Sequence, residues 1–227
     1  MPPREARLIK EDLERLLASL IERGIVDDQN FPLLRQVGRE AYEITFEGAE
    51  HVAVGMGDDV DYDKMYHDLA GRRCFSAKLI DGGLLQLMYS FKGGHLTKHR
   101  LAYYPSPDLS PFREDPESYL HDALFLDIVS RRIVPFPLRF DFDESAARDV
   151  HHPRCHLTLG DAKGCRIPVS APLTPRWFIE FVLRHFYQTP QLDLVSALPA
   201  HKHNFAATIT ANESKLIHVV VPQAAIT

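Results

Sequence analysis

The sequence predicts an α+β fold: a single domain over residues 1–227, with a mainly antiparallel sheet and helices packed against it. Three features indicate this class. Residues 4–23 carry apolar side chains at helical spacing, glycine-rich turns at 81–83 and 92–94 separate three strand-like runs, and a second, mostly apolar helix follows Thr174 and Pro175. Because 45% of the 227 residues are hydrophobic and 25% are charged, the chain can bury one substantial core.

The N-terminal helix is predicted over residues 4–23, with Gly24 as its stop. Its apolar side chains recur three or four residues apart and form one stripe: Leu8, Ile9, Leu13, Leu16, Leu17, Leu20 and Ile21. Two interpretations of this stripe stay open. Either the helix packs on the sheet of its own domain, or residues 1–24 form an amphipathic helix that docks onto a partner protein.

The middle of the chain predicts a strand pair over 41–54, broken at Glu47 and Gly48, and a short helix over 61–71. An acidic run at 58, 59, 61 and 63 precedes or begins this helix. Strands follow at 74–80, 84–91 and 95–104. In the second of these, alternate side chains are apolar, which predicts an antiparallel sheet with one covered face. The third strand carries a small basic cluster: His95, Lys98, His99 and Arg100.

A proline-rich loop at 105–116 leads into a helix predicted to run to about residue 132. The second half of the chain then predicts strands at 134–143, 154–160 and 165–170, the last two joined by a turn at 161–164. A buried C-terminal helix extends to about residue 187, with Trp177 as a core residue. A last strand pair is predicted at 206–210 and 215–221.

The three strands of the second half place polar side chains on one face. Alternation within LRFDFD directs Arg139, Asp141 and Asp143 to the same side. In RCHLTLG the outward residues are Arg154, His156 and Thr158, and Arg166 follows in CRIPVS. The alternation therefore predicts that these residues share a sheet face if the strands are neighbours. Cys155 and Cys165 fall on the opposite, apolar faces, which predicts buried and inert thiols.

Three kinds of chemistry fit such a face. Asp141, Asp143 and His156 can bind a divalent metal ion that activates water for phosphodiester cleavage. Alternatively, His156, with His151 and His152 in the preceding turn, can act as general acid and base. The arginines (Arg139, Arg154, Arg166) then bind phosphate. The third interpretation is a solvated network of ion pairs without catalysis. The sequence contains no motif that decides among them.

Composition narrows the class of protein. A net charge of −5 argues against nucleic-acid binding over the whole surface, though not against a local basic patch. Three cysteines cannot all pair within one chain, and none forms CxxC, which predicts free thiols in the reducing cytoplasm. The N-terminus is too charged for a signal sequence, and no apolar run is long enough to span a bilayer, so no membrane association is expected.

Four stretches carry a resemblance to a known family: YYPSPDLSPF, DIVSRRIVPFPLRFDFD, HHPRCHLTLG and CRIPVSAPLTPRWFIEFVLRHFY. They resemble the bacterial family of the domain of unknown function 2290, most clearly over residues 79–187. The resemblance implies antiphage defence, in operons where the family is encoded beside a helicase, so that a helicase subunit is the expected partner and reaches nucleic acid. It implies no catalytic residues. LRFDFD followed by HHPRCH is also similar to a pattern in small toxin proteins, which favours a nuclease-like role.

Two functions are therefore expected. The first is a helicase-partnered effector that cleaves nucleic acid at the face of Asp141, Asp143 and His156. The second is a non-catalytic adaptor or regulatory subunit that binds the helicase. The acidic net charge, the lack of a known catalytic motif and the apolar N-terminal helix favour the second.

Overall fold

A computed structural model of the chain describes residues 1–51, 61–107, 136–160, 164–187 and 193–223. The elements, in chain order, are α1 (Arg4–Glu22), β1 (Val26–Gln29), β2 (Leu33–Gly38), β3 (Ala41–Thr45), a 3-10 turn (Ala49–His51), α2 (Tyr62–Gly71), β4 (Ala77–Leu79), β5 (Leu84–Lys92), β6 (His95–Tyr104), β7 (Leu138–Asp143), β8 (Cys155–Leu159), β9 (Ile167–Pro168), α3 (Pro175–Val182), a π-helical turn (Leu183–Tyr187) and a second 3-10 turn (Glu213–Lys215). The helix predicted at 116–132, Asp58, Asp59 and most of the turn predicted at 161–164 lie outside the described residues.

The nine strands of the described residues belong to one sheet, and seven of them follow the order β1-β4-β5-β6-β7-β8-β9. The edge of β5 that faces away from β6 is shared, with β4 at one end and β3 at the other, and β2 continues outward from β3. Every strand pair is antiparallel. The predicted α+β class with a mainly antiparallel sheet, an N-terminal helix and a C-terminal helix is therefore confirmed.

One face of the sheet carries the main core. Alternate side chains of β5 to β8 point into it, and α1 and α3 pack on them. Phe140 of β7 contacts α3 closely. Its ring packs edge-on against Phe178 and Phe181 of that helix, at centroid distances of 6.2 and 5.1 Å. Since each strand residue that enters this core sends its neighbours to the other side, the core fixes which residues appear on the second face.

The second face is apolar at one end and polar at the other, so the prediction of a single covered face was wrong. Near the start of β5, Leu84 packs with Ala102 and Tyr104 of β6 beneath α2, which contributes Met65 and Leu69. Further along, the same face carries the polar residues of β6, β7 and β8. The sequence did not predict that α2 covers part of the second face, because the contact between α2 and β5 is long-range.

The apolar stripe of α1 lies inside the protein's own core. Leu13, Leu16 and Leu17 are each at most 1% exposed, and the helix contacts α3 as well as the sheet. The chain leaves the helix at Gly24 with φ of +67°, a left-handed conformation that favours glycine. The packing interpretation of α1 is therefore confirmed, and docking onto a partner would have to use the outward side of the helix.

The C-terminal helix begins as its sequence predicts. Thr174 caps it, with Trp177 N–H donating to Thr174 Oγ1 at 3.4 Å, and Pro175 occupies the first turn. Its last turn, to Tyr187, is π-helical. Trp177 packs against the core, as predicted, and its indole N–H also donates to Asn204 Oδ1 at 3.1 Å.

Other expectations were wrong. The tail forms no strand pair at 206–210 and 215–221. It runs without regular strands around the 3-10 turn, and only Val219 pairs, in parallel, with Val169. Backbone hydrogen bonds from this tail go instead to Ser170, next to β9. Of the segment 41–54, the described residues 41–51 give one strand, β3, followed by the first 3-10 turn, while residues 52–54 lie outside the described ranges. Strands β1 and β2 were not predicted. None of the described helices is long and apolar enough to cross a membrane.

Candidate functional site

The polar residues of the second half of the chain do gather on one sheet face, because β7, β8 and β9 are neighbours. Asp141 lies opposite His156 on one side and opposite Arg100 of β6 on the other, which gives a row across three strands. We call this surface the polar face: Lys98, Arg100, Arg139, Asp141, Asp143, Arg154, His156, Thr158 and Arg166. The adjacency inferred from alternation is correct.

Asp141 lies at the centre of the row and is flanked by two arginines. Arg100 Nε lies 3.4 Å from Asp141 Oδ1, and Arg139 Nε lies 3.8 Å from Asp141 Oδ2. All three side chains are half-buried. Contacts of this length in a partly solvated site are loose ion pairs, so an anionic ligand can compete for the guanidinium groups.

Asp143 is held by its own turn. Its Oδ1 accepts hydrogen bonds from the backbone N–H groups of Ser145 (3.0 Å) and Ala146 (3.2 Å) and from the Ser145 hydroxyl (2.7 Å), while Lys98 lies 3.1 Å from Oδ2. Burial by itself raises the pKa of Asp143, but the Ser145 and Lys98 contacts outweigh it and lower the pKa to about 2. This carboxylate stabilises the β7 end and is already satisfied.

His156 is the buried histidine of the polar face, with 5% of its surface exposed. Its Nδ1 lies 3.0 Å from the Pro153 carbonyl oxygen, so in the neutral ring Nδ1 carries the proton and Nε2 keeps its lone pair. Burial lowers the pKa of His156. The charges of His152 and Arg166 act in the same direction, and the Pro153 hydrogen bond and Asp141 oppose it. Near neutral pH the ring is therefore a base.

The histidine turn, residues 148–152, brings a second imidazole beside His156. The His152 ring lies 5.0 Å from the His156 ring, centroid to centroid. Arg148 and His152 exchange backbone hydrogen bonds of 2.9 and 2.7 Å, which close the turn. His151 is exposed at its tip. The structure therefore brings His152, but not His151, against His156.

Two carboxylates tie this turn to the tail. Glu213 is 2% exposed and accepts from Val150 N at 3.3 Å and from Thr210 N at 3.0 Å. Asp149 accepts from the Asn212 side-chain amide at 2.6 Å and also from the Thr210 hydroxyl. Val150 has φ of +67°, which is strained for a β-branched residue, so these bonds hold the turn in a conformation that it does not prefer alone. The alternation of residues in the tail does not predict these bonds.

Cations outnumber carboxylates on the polar face. Five cationic side chains (Lys98, Arg100, Arg139, Arg154, Arg166) accompany two carboxylates, on a chain whose net charge is −5. Arg154 and Arg166 directly precede β8 and the start of β9, and both are exposed. Within the described ranges, no carboxylate pairs with either of them. Such a local surplus attracts phosphate even on an acidic protein.

Lys98 and Arg100 were not predicted as members of this site. Both belong to the basic cluster of the 95–104 strand, and their spacing of two residues already places them on one face of that strand. What could not be predicted was that β7, after a gap of more than thirty residues, returns to pair with β6.

The two thiols predicted to be buried differ in the structure. Cys155 is buried, as predicted, and burial raises its pKa. Cys165 is partly exposed, contrary to prediction, because β9 is only two residues long and begins after it.

The geometry supports metal binding less well than it supports phosphate binding and acid–base chemistry. Over the residues that the structure describes, no group of three or more His, Cys, Asp or Glu side chains is arranged to hold a metal ion. Asp141 and His156 are cross-strand partners, but Asp143 is turned to Ser145 and Lys98. Metal binding by Asp141, Asp143 and His156 stays a prediction.

Fold and site together define an α+β protein whose sheet carries a basic face with a buried, neutral histidine at its centre. The chain belongs to the family described as "Uncharacterized conserved protein (DUF2290)", whose model matches residues 25–221. The match covers all nine strands, α2 and α3, and the whole polar face. No curated protein and no solved structure matches the chain.

Proposed function

We propose that this protein is the nucleic-acid-processing subunit of a bacterial antiphage defence system, that it acts with a helicase, and that it cleaves phosphodiester bonds at the polar face. The observation that carries the proposal is the cross-strand row Arg100–Asp141–His156 within a surplus of positive charge. The helicase partnership follows from the family resemblance in the sequence. The helicase opens or translocates the nucleic acid, and this subunit acts on the strand.

Phosphate binding is assigned to the arginines. Arg154 and Arg166 are exposed and have no carboxylate partner among the described residues. They therefore make the first contacts with the sugar-phosphate backbone of the nucleic acid. Arg139 is half-buried and lies opposite Thr158, which is two residues along β8 from His156. Guanidinium groups suit this role because each presents several N–H donors in a plane that matches phosphate oxygens.

Acid–base catalysis by His156 is the chemistry that the geometry supports best. Its neutral ring has a lone pair on Nε2, and Asp141 lies directly across from it, so the imidazolium formed by taking up a proton is stabilised. Asp143, in contrast, is engaged by Lys98 and its turn. If a divalent metal ion takes part, Asp141 and His156 are the residues expected to hold it.

The test is cleavage by the full-length protein together with its helicase, comparing wild type with His156→Ala and Asp141→Asn. We expect His156→Ala to lower the single-turnover rate at least 100-fold, the scale of a lost general base, and Asp141→Asn to lower it less. Parallel reactions with EDTA separate the metal-free from the metal-dependent version. Cleavage at the wild-type rate by both variants would contradict the proposal.

The second candidate function is a non-catalytic adaptor that binds the helicase, which the net charge of −5 favours. Deleting residues 1–24 does not test it, because the core residues of α1 would be lost as well. Reversing exposed charges on the outer side of α1, with Arg7→Glu and Glu11→Lys, leaves the core intact. Loss of co-elution with the helicase, together with defence that survives His156→Ala, would favour the adaptor.

A further inference from the structure

Two histidines with unequal environments lie side by side at the edge of the polar face. His156 is buried and its Nδ1 is fixed by the Pro153 carbonyl, so only Nε2 is open to exchange a proton with a ligand. His152 is half-buried on the histidine turn, and the ring centroids are 5.0 Å apart. A pair of imidazoles at this separation can serve two oxygen atoms of one phosphodiester, one as base and one as acid.

The brace around the turn indicates that the position of His152 matters. Glu213, Asp149 and the tail hold residues 148–152 in place although Val150 is strained there. Strain that is retained at a site by several hydrogen bonds is a common sign that the site needs that geometry. The tail thus fixes one imidazole, and the Pro153 carbonyl fixes the other.

The nucleophile is the remaining question for such a pair. Asp143 is held by Ser145 and Lys98, and Asp141 is loosely paired with Arg100 and Arg139, so both carboxylates already have protein partners. A general base needs a nucleophile within reach of its free nitrogen. RNA brings one with it, since the 2′-hydroxyl lies next to each phosphate, whereas DNA has none.

We propose that the substrate is RNA, that its 2′-hydroxyl attacks the adjacent phosphorus, and that His156 is the general base and His152 the general acid. This inference rests on the proposed function and specifies its substrate class. His156 Nε2 takes the proton of the 2′-hydroxyl, the O2′–P bond forms, and the P–O5′ bond breaks. His152 gives a proton to the departing O5′. The products are a 2′,3′-cyclic phosphate and a 5′-hydroxyl, with no water or oxidant consumed.

Arg166 is a cation whose charge reaches His156. Its charge is among the causes that lower the pKa of that ring, and its side chain is exposed. From there it can meet the additional negative charge that develops on the non-bridging phosphate oxygens. The scissile phosphate is therefore placed between the histidine pair and Arg166.

The first experiment compares four oligonucleotides of one sequence, each about thirty nucleotides long, with the full-length protein and its helicase. They are all-RNA, all-DNA, RNA with a single 2′-deoxy substitution at the mapped cleavage site, and RNA with a 2′-O-methyl group there. We expect cleavage of the all-RNA strand alone at that site and a cyclic phosphate end. Equal cleavage of DNA, or of the 2′-blocked RNA, overturns the RNA inference and leaves the proposed nuclease function standing.

The second experiment separates the acid from the base. RNA with sulfur in place of the bridging 5′-oxygen has a leaving group that departs without a proton. His152→Ala should lose at least 100-fold on ordinary RNA and recover to within about 10-fold of wild type on the sulfur-substituted RNA, whereas His156→Ala should stay inactive on both. Loss on both substrates by His152→Ala would mean that His152 only shapes the turn, which contradicts its assignment as the acid.

His185→Ala serves as the matched histidine control, because His185 is exposed and lies on the turn after α3, away from the polar face. It should cleave ordinary RNA at the wild-type rate. If no nucleic acid of any kind is cleaved by the wild-type protein with its helicase, both this inference and the proposed cleavage function fall.

Discussion

The exposed arginines give the most quantitative prediction. Arg154→Ala and Arg166→Ala each remove a cation that has no carboxylate partner among the described residues, so neither substitution leaves a described carboxylate unpaired. Binding of nucleic acid releases counterions in proportion to the number of phosphates neutralised. Each substitution should therefore remove about one contact from the salt dependence without disturbing the fold.

The expected size follows from counterion release. For a single strand, the slope of log K against log salt concentration should become shallower by about 0.7 for each arginine removed, and by about 1.4 in the double variant. Arg100 and Arg139 should contribute less to the slope, because they already lie 3.4 and 3.8 Å from the Asp141 carboxylate and must exchange one anion for another.

Fluorescence anisotropy with a labelled single strand at four or five salt concentrations measures the slope. Arg39→Ala is the matched control, since this exposed arginine lies at the β2–β3 turn and should leave the slope unchanged. Equal slopes for wild type and the double variant would refute phosphate binding by this face. Equal losses in Arg39→Ala would show that the attraction is general rather than local.

Three further predictions concern stability, each measured by urea unfolding. Glu213→Gln should lower the free energy of unfolding by about 1–3 kcal/mol, because a buried carboxylate that accepts from Val150 N is replaced by an amide whose N–H donors lack partners. An unchanged unfolding midpoint would show that the Glu213 bonds do not stabilise the protein. Burial lowers the pKa of His99 to about 4, below its unfolded value of 6.5. The unfolded chain therefore binds the proton first, and stability that is complete above pH 6.5 should fall by about 3 kcal/mol as the pH drops to about 4. A drop of the same size in His99→Gln would contradict that cause. Phe140→Ala removes a ring that is 1% exposed and packs on Phe178, and should cost about 3–5 kcal/mol, far more than Phe31→Ala at the surface.

The part of the fold that could be predicted depends on local pattern. Strict alternation in LRFDFD and RCHLTLG placed Asp141 and His156 on one face, and this is correct because burying Phe140 and Leu157 leaves no other orientation. Glycine turns fixed the β4–β5–β6 meander in the same way. These are interactions between residues close in sequence, or properties of a single strand.

The rest depends on long-range pairing and, in the tail, on a side-chain bond to the backbone. Arg100 joins the site only because β7 pairs with β6, and α2 covers the second face only because it reaches the start of β5. The tail looked like two strands because its residues alternate, but Glu213 accepts Thr210 N–H locally and draws the chain into a 3-10 turn. Long-range partners of this kind have no signature in the segment itself.

The most direct test of the central claim, that the polar face processes nucleic acid around His156, is a paired measurement on His156→Ala. Binding of the strand and single-turnover cleavage are measured on the same preparation with its helicase. We expect binding within about threefold of wild type, since the arginines remain, and cleavage lowered at least 100-fold. Cleavage at the wild-type rate, with equally tight binding, would contradict it.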